Sequence, residues 1–198
     1  MSAARQRPPL LPERQWSSSY VSYWSPMQGG DRMTSGHVWY DYGRGVYRID
    51  GVLNPWDEQA HGHLLWKSEI NQFGAGECHT WAVAYDVPGE AAPTYRARPL
   101  AYERTKSPGS LVPCDVLVRH EAVFVGTEQV LGFEAEGWRY ERPEGRGPVT
   151  YYFRAGTRHL LRMVNGDPRL HAAIRDFPTF SEQPIPDTVF QPHPWAAR

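Results

Sequence analysis

From His37 to Val164 the chain is a succession of short runs rich in β-branched and aromatic residues, cut apart by Gly, Pro, Asn and Asp. That rhythm suits strands and leaves little room for helix. His37 to Tyr42 and Val46 to Ile49 flank Gly43-Arg44-Gly45, a short loop suited to a hairpin. Leu64 to Ile70 and His79 to Tyr85 read as two further strands, parted by a loop that holds Gly74 and Gly76. Tyr95 to Ala101 is interrupted by Pro99, which cannot donate to a ladder, so it is expected at a sheet edge. Val123 to Phe133 and Gly137 to Tyr140 continue the pattern, and Thr150 to Phe153 and His159 to Val164 bracket Ala155-Gly156-Thr157, the clearest hairpin. Two segments suit short helices. Pro113 to Arg119 has Pro at its first turn and Asp115 near the positive end of the dipole, and Asp167 to Ile174 has Asp167 as N-cap and Pro168 at N1. The expectation is a mainly β chain, a meandering antiparallel sheet with one or two short helices laid against it. An open, curved face on such a sheet would bind something in its concavity.

The stretch WSSSYVSYWSPM, Trp16 to Met27, carries the most chemical information. Side chains alternate across a strand, so Tyr20, Ser22 and Trp24 share one face and Val21 and Tyr23 the other. Two hydroxyls and an indole make a poor core layer and a good wall for a polar, aromatic ligand. An exposed edge strand accounts for the same pattern.

With 198 residues the chain is long enough to bury a real core. The sequence suggests a Pro-rich flexible arm over 1–15, one sheet domain over 16–190 and a tail over 191–198. The net charge is −1 and the basic residues are scattered, which points away from nucleic acid and anionic membranes. No apolar run approaches a membrane span, and the start lacks the apolar core of a secretory signal. Cys78 and Cys114 fit reduced thiols of the cytoplasm better than a disulfide scaffold, although a single bridge between them stays open. The chain has 8 Trp and 11 Tyr, most of them expected in the core and a minority against a ligand.

Several standard sites are missing: no dinucleotide glycine fingerprint, no P-loop, no nucleophile elbow. His61-Gly62-His63 lacks a third ligand, and Cys78-His79 are strand neighbours that point to opposite faces. No metal, nucleotide or flavin is expected. In LLWKSEI, Leu65, Lys67 and Glu69 share one face and Leu64, Trp66, Ser68 and Ile70 the other. Taken alone, Glu69 reads as a solvated carboxylate beside a lysine, a pair worth little. The fork of Arg175 suits a carboxylate, and an ion pair with Asp176 or another acid is locally at least as good a reading.

A set of motifs in order along the chain alters this balance. WSSSYVSYWSPM is followed by TSG at Thr34 to Gly36, RIDG at Arg48 to Gly51, NPW at Asn54 to Trp56, SE at Ser68–Glu69, PCDVL ending at Leu117, EGWRY at Glu136 to Tyr140, LRMV at Leu161 to Val164, RDFP at Arg175 to Pro178 and IPD at Ile185 to Asp187. Together they resemble the VioE family of violacein-biosynthesis enzymes over nearly the whole chain. The resemblance implies a strongly curved antiparallel sheet, a half-open barrel similar to lipoprotein-carrier folds, and a cytoplasmic homodimer. It implies a cofactor-independent enzyme that takes the indole-3-pyruvate imine dimer and shifts one indole ring by one carbon, giving prodeoxyviolacein (protodeoxyviolaceinic acid). The partners implied are the tryptophan oxidase and the imine-coupling haem enzyme upstream. It places the catalytic carboxylate on Glu69 and the substrate-binding positions at Tyr20, Ser22, Asn54 and Arg175, with Pro55 and Trp16 completing the wall of one cleft. Leu53 stands where the family carries Phe, which removes an aromatic stacking surface. In an apolar concavity, desolvation would raise the pKa of Glu69 and let it donate as well as accept a proton. The rival expectation is a non-catalytic hydrophobic-ligand carrier, or a chaperone that only protects the dimer.

Overall fold

A computed structural model of the chain describes residues 7–51, 66–74, 76–86, 96–105 and 111–192. Leu53, Asn54, Pro55 and the His61–His63 pair therefore lie outside the described residues. The described residues form an 11-stranded antiparallel sheet: β1 (Gln15–Ser25), β2 (Thr34–Asp41), β3 (Val46–Gly51), β4 (Trp66–Gly74), β5 (Glu77–Asp86), β6 (Arg96–Thr105), β7 (Val123–Val130), β8 (Phe133–Glu141), β9 (Pro148–Arg154), β10 (Leu160–Asn165) and β11 (Ala172–Asp176). Among the described residues the end strands β6 and β7 each pair on one side only. Among the described residues the α-helical content is one turn, α1 (Val116–Arg119), beside short 3₁₀ turns at Pro143–Gly145 and Asp187–Phe190. The mainly β, antiparallel class read from the sequence is the class observed.

The chain divides into two compact units, and β1 contributes its first half to one and its second half to the other. One unit comprises Met1–Glu13, Tyr20–Met33 and Val112–Ser181. Its strands run in the order β1, β11, β10, β9, β8, β7. Trp138, Tyr151, Phe153, Leu160, Val164 and Ile174 fill its core. The single turn of α1 buries Leu117 here, and Arg119 reaches back to Asp115 at 2.6 Å. Within the stretch marked as an arm, Leu11 is 2% exposed and its N–H donates to the Cys114 carbonyl at 2.9 Å. The other unit comprises Arg14–Ser19, Thr34–Leu111 and Glu182–Arg198, with β2, β3, β4, β5 and β6 in sequence order. Val38, Val46, Ile49, Ile70, Ala82 and Val83 are buried in it.

The glycine hairpin before β3 forms as expected. Gly45 sits at φ +61, and a Cβ there would come within 2.9 Å of the Phe73 carbonyl. Only glycine allows the turn to lie against β4, where the Gly45 carbonyl accepts the Phe73 N–H at 2.8 Å. Pro99 lies in edge strand β6, where a missing donor is tolerated, opposite a register shift at Ala82/Val83.

Two local expectations are corrected. Val123 to Phe133 is not one strand: it breaks into β7 and β8 at Leu131-Gly132, whose φ values of 52° and 81° make a tight two-residue turn. Leu in a left-handed conformation costs about 1–2 kcal/mol, which is why the sequence hides this turn. Asp167 to Ile174 is not a helix. Asp167 caps a single turn, its Oδ1 accepting the Arg169 N–H at 2.9 Å, and the chain then enters β11. The alternation of buried Ala172, Ile174 and Asp176, and ladder partners on both sides in β1 and β10, outweigh a local helix start.

Candidate functional site

The alternation expected in β1 is observed. Ser22 lies directly across the ladder from Arg175, and Arg175 Nε donates to Ser22 Oγ at 2.8 Å. The guanidinium carbon stands 5.2 Å from the centroid of the Tyr20 ring, a cation–π distance. Tyr20 is 1% exposed. Tyr20, Ser22 and Arg175 are thus one cluster on one face of this unit. Asp176 is not the partner of Arg175: it faces the other way and pairs with Arg162. Arg162 grips Asp176 with two hydrogen bonds of 2.6 and 3.0 Å and donates to the Tyr23 hydroxyl, which donates to Asp176. Trp24 stacks on His171 with ring centroids 4.4 Å apart, and His171 Nε2 lies 2.9 Å from Asp31 Oδ2. The Gln28 backbone N–H, and then the His171 ring, hold the Asp31 carboxyl below its ordinary range.

Trp16, Glu69 and their neighbours belong to the other unit. The register places Ile49 and Ala82 opposite Glu69, and Tyr47 and Thr80 opposite Asn71. Val38 and Tyr40 follow on β2, opposite Ile49 and Tyr47. Residues opposite one another on a ladder share a face, so these side chains form a single surface. Along it runs a rib of stacked rings: Trp16 on Tyr40 at 4.4 Å, Tyr40 on Tyr47 at 5.4 Å, Tyr47 on Phe73 at 5.8 Å. Trp16 also donates from its indole nitrogen to the Tyr42 hydroxyl at 3.4 Å. Flat rings spaced in this way offer the stacking geometry that aromatic side chains favour.

Glu69 sits on the same surface with a quarter of its side chain exposed. Its Oε2 is 3.9 Å from the Lys67 ammonium, a loose ion pair, while its Oε1 accepts the Asn71 amide at 2.6 Å. Thr80 in turn donates to Asn71 Oδ1 at 2.6 Å, and the Cys78 thiol lies 3.8 Å from the same oxygen. Burial, and then the charge of Glu69, push the Tyr47 hydroxyl well above the ordinary tyrosine range. Tyr47 therefore stays a neutral hydroxyl on this surface. A carboxylate, a held amide and neutral aromatic rings are the parts needed to orient a flat heterocycle and exchange a proton with it.

Sequence reading singled out Glu69, Tyr20, Ser22 and Arg175 but passed over Asn71, Thr80, Tyr40, Tyr47 and Phe73. The parity of KSEINQF was the available signal, since it puts Asn71 and Phe73 on the Glu69 face. Both cysteines are free thiols. Among the described residues no three His, Cys, Asp or Glu side chains are grouped so as to hold a metal ion. No helix among them is long and apolar enough to cross a membrane.

Fold and side chains together define a mainly β, antiparallel-sheet protein whose two units each carry a cluster of polar and aromatic side chains. Residues 8–190 match the family model described as "Violacein biosynthetic enzyme VioE", and the chain belongs to the VioE family. It is an enzyme of violacein biosynthesis. Among curated proteins none matches the chain. Among solved structures the chain is similar to an uncharacterized conserved protein from Thermus thermophilus, at 10% identity and TM-score 0.54, over 92% of this chain and 86% of that one. That likeness is one of fold. A LolA superfamily protein from Nitrosomonas europaea aligns over 92% of each chain at 8% identity and TM-score 0.38.

Proposed function

We propose that the chain converts the indole-3-pyruvate imine dimer to prodeoxyviolacein (protodeoxyviolaceinic acid) by a 1,2-shift of an indole ring, with Glu69 as general acid/base. The observation that carries the proposal is the placement of Glu69 on one sheet surface with the Trp16–Tyr40–Tyr47–Phe73 rib. An indole ring stacks on the half-buried rings of that rib, Tyr40, Tyr47 and Phe73, with Trp16 buried next to Tyr40, and a carboxyl on the same face exchanges protons as the ring migrates. The family resemblance implies that Arg175 supplies a planar cation for a substrate carboxylate; within its own unit its Nε donates to Ser22 and its guanidinium lies against the Tyr20 ring. Asn54, Pro55 and Leu53 complete substrate binding in this reading, as the family resemblance implies. The enzyme acts without an external cofactor, as a cytoplasmic homodimer fed by the tryptophan oxidase and the imine-coupling haem enzyme. Positioning of a reactive dimer in one conformer supplies several kcal/mol, and one general acid/base adds roughly 10²–10⁴-fold.

The test is a pair of substitutions at Glu69 in a reconstituted pathway. Glu69→Gln keeps shape and hydrogen bonding but exchanges no proton, so product formation falls about 10²–10⁴-fold. Glu69→Asp keeps the carboxyl but withdraws it by about an ångström, costing roughly 10²-fold. Chromopyrrolic acid, the exit of the unprocessed dimer, rises as the main product falls. A folded Glu69→Gln protein that turns over at the wild-type rate rules out the acid/base role.

A further inference from the structure

The Glu69 carboxylate is not left to find its own orientation. An ionised carboxylate can only accept, so the side of the Asn71 amide that meets Oε1 at 2.6 Å is its NH₂ group. The amide oxygen then faces Thr80, whose hydroxyl donates to it at 2.6 Å. Asn71 is 5% exposed, so neither of its polar ends is shared freely with water. The three side chains form a directional chain, Thr80 to Asn71 to Glu69, across β4 and β5. The Cys78 thiol lies 3.8 Å from the same amide oxygen, so Thr80 supplies the shorter of the two contacts that favour this orientation of the amide. Oε1 is filled by a donor that has no proton-accepting ability, which leaves Oε2 as the oxygen able to take up and release a proton. The Lys67 ammonium, at 3.9 Å, lies beyond direct hydrogen-bond length from that oxygen.

We propose that Asn71, oriented by Thr80, is a positioning residue that holds Oε1 of Glu69 and reserves Oε2 for proton exchange with the substrate. The inference rests on the reading of Glu69 as the acid/base. It adds a requirement that the reading itself does not make: the rate depends on a buried amide that touches no reacting atom.

The experiment measures kcat and KM for prodeoxyviolacein formation in the full chain supplied by the two upstream enzymes. The variants are Asn71→Ala, Thr80→Val, Thr80→Ser, Glu69→Gln and the double variant Asn71→Ala/Glu69→Gln, each checked for folding by circular dichroism. Asn71→Ala should lower kcat by up to about 10²-fold with KM little changed, as expected when a reacting group is misplaced. Thr80→Val should lower it by about 5-fold, the net worth of one hydrogen bond, and Thr80→Ser, which keeps the hydroxyl, should restore it. The double variant should be no slower than Glu69→Gln alone, because a residue that acts only through Glu69 has nothing to add once the carboxyl is gone. A structural role for Asn71 gives additive losses instead, and additivity overturns the proposal. Wild-type kcat in folded Asn71→Ala and Thr80→Val, with Glu69→Gln inactive, overturns the positioning role and leaves the acid/base reading standing. Wild-type kcat in Glu69→Gln removes both. Should Asn71→Ala fail to fold, the Thr80→Val and Thr80→Ser pair decides alone.

Discussion

Arg175 and Asp176 are adjacent in sequence yet belong to different chemistry. Strand alternation sends one to Ser22 and Tyr20 and the other to Arg162 and Tyr23. That division was legible in β1, where Tyr20 and Ser22 share a parity that Tyr23 lacks. It was not legible for Asp176, because its partner Arg162 comes from another strand and cross-strand register is invisible in one sequence. The same limit hid the Thr80–Asn71 contact, which depends on the pairing of β4 with β5. Arg175→Ala should chiefly weaken substrate binding: KM rises, kcat holds within a few-fold, and excess substrate restores most of the rate. This contrasts with Glu69→Gln, where added substrate restores nothing. Initial rates over a range of substrate supply separate the two, and a loss in Arg175→Ala that no substrate level relieves would count against the binding role.

At the scale of elements, the sheet was readable because β-branched and aromatic runs recur between turn residues, and the glycine turn at Gly43-Arg44-Gly45 announces its hairpin. The two misread elements share a cause. In each, a local signal lost to ladder pairing: a leucine accepts a left-handed turn so that β7 and β8 can pair, and an Asp-Pro helix start is cut short so that β11 can lie between β1 and β10. Leu131 is 40% exposed, so little burial offsets its strained backbone. Leu131→Asn, which tolerates that conformation better, should therefore stabilise the fold by about 1 kcal/mol. For a chain of this size that corresponds to a melting point higher by about 2–4 °C, read by a thermal melt. The reverse holds at Gly45, where Gly45→Ala combines a left-handed backbone with a 2.9 Å clash onto the Phe73 carbonyl and should lower the melting point.

For the molecule as a whole, half-buried tyrosines make stability fall at alkaline pH. Burial is the leading cause that pushes Tyr23, Tyr47, Tyr140 and Tyr152 above their ordinary value of about 10. Above that pH the folded chain retains protons that the unfolded chain releases. The stability they contribute is complete below about pH 10 and is lost as pH rises beyond it. Melts taken from neutral to strongly alkaline pH should show the fall beginning there, with tyrosinate absorbance lagging until the chain unfolds; early titration of every tyrosine in the folded state would contradict it. The family was legible because its motifs run through the whole chain, and the match over residues 8–190 makes violacein biosynthesis the chain's business. The step it performs is decided by turnover. Purified chain, supplied with tryptophan and the two upstream enzymes, should form prodeoxyviolacein in large excess over its own concentration while chromopyrrolic acid falls. Product that never exceeds the amount of protein added, or chromopyrrolic acid alone, would show a binder or protector of the dimer and contradict the proposed rearrangement.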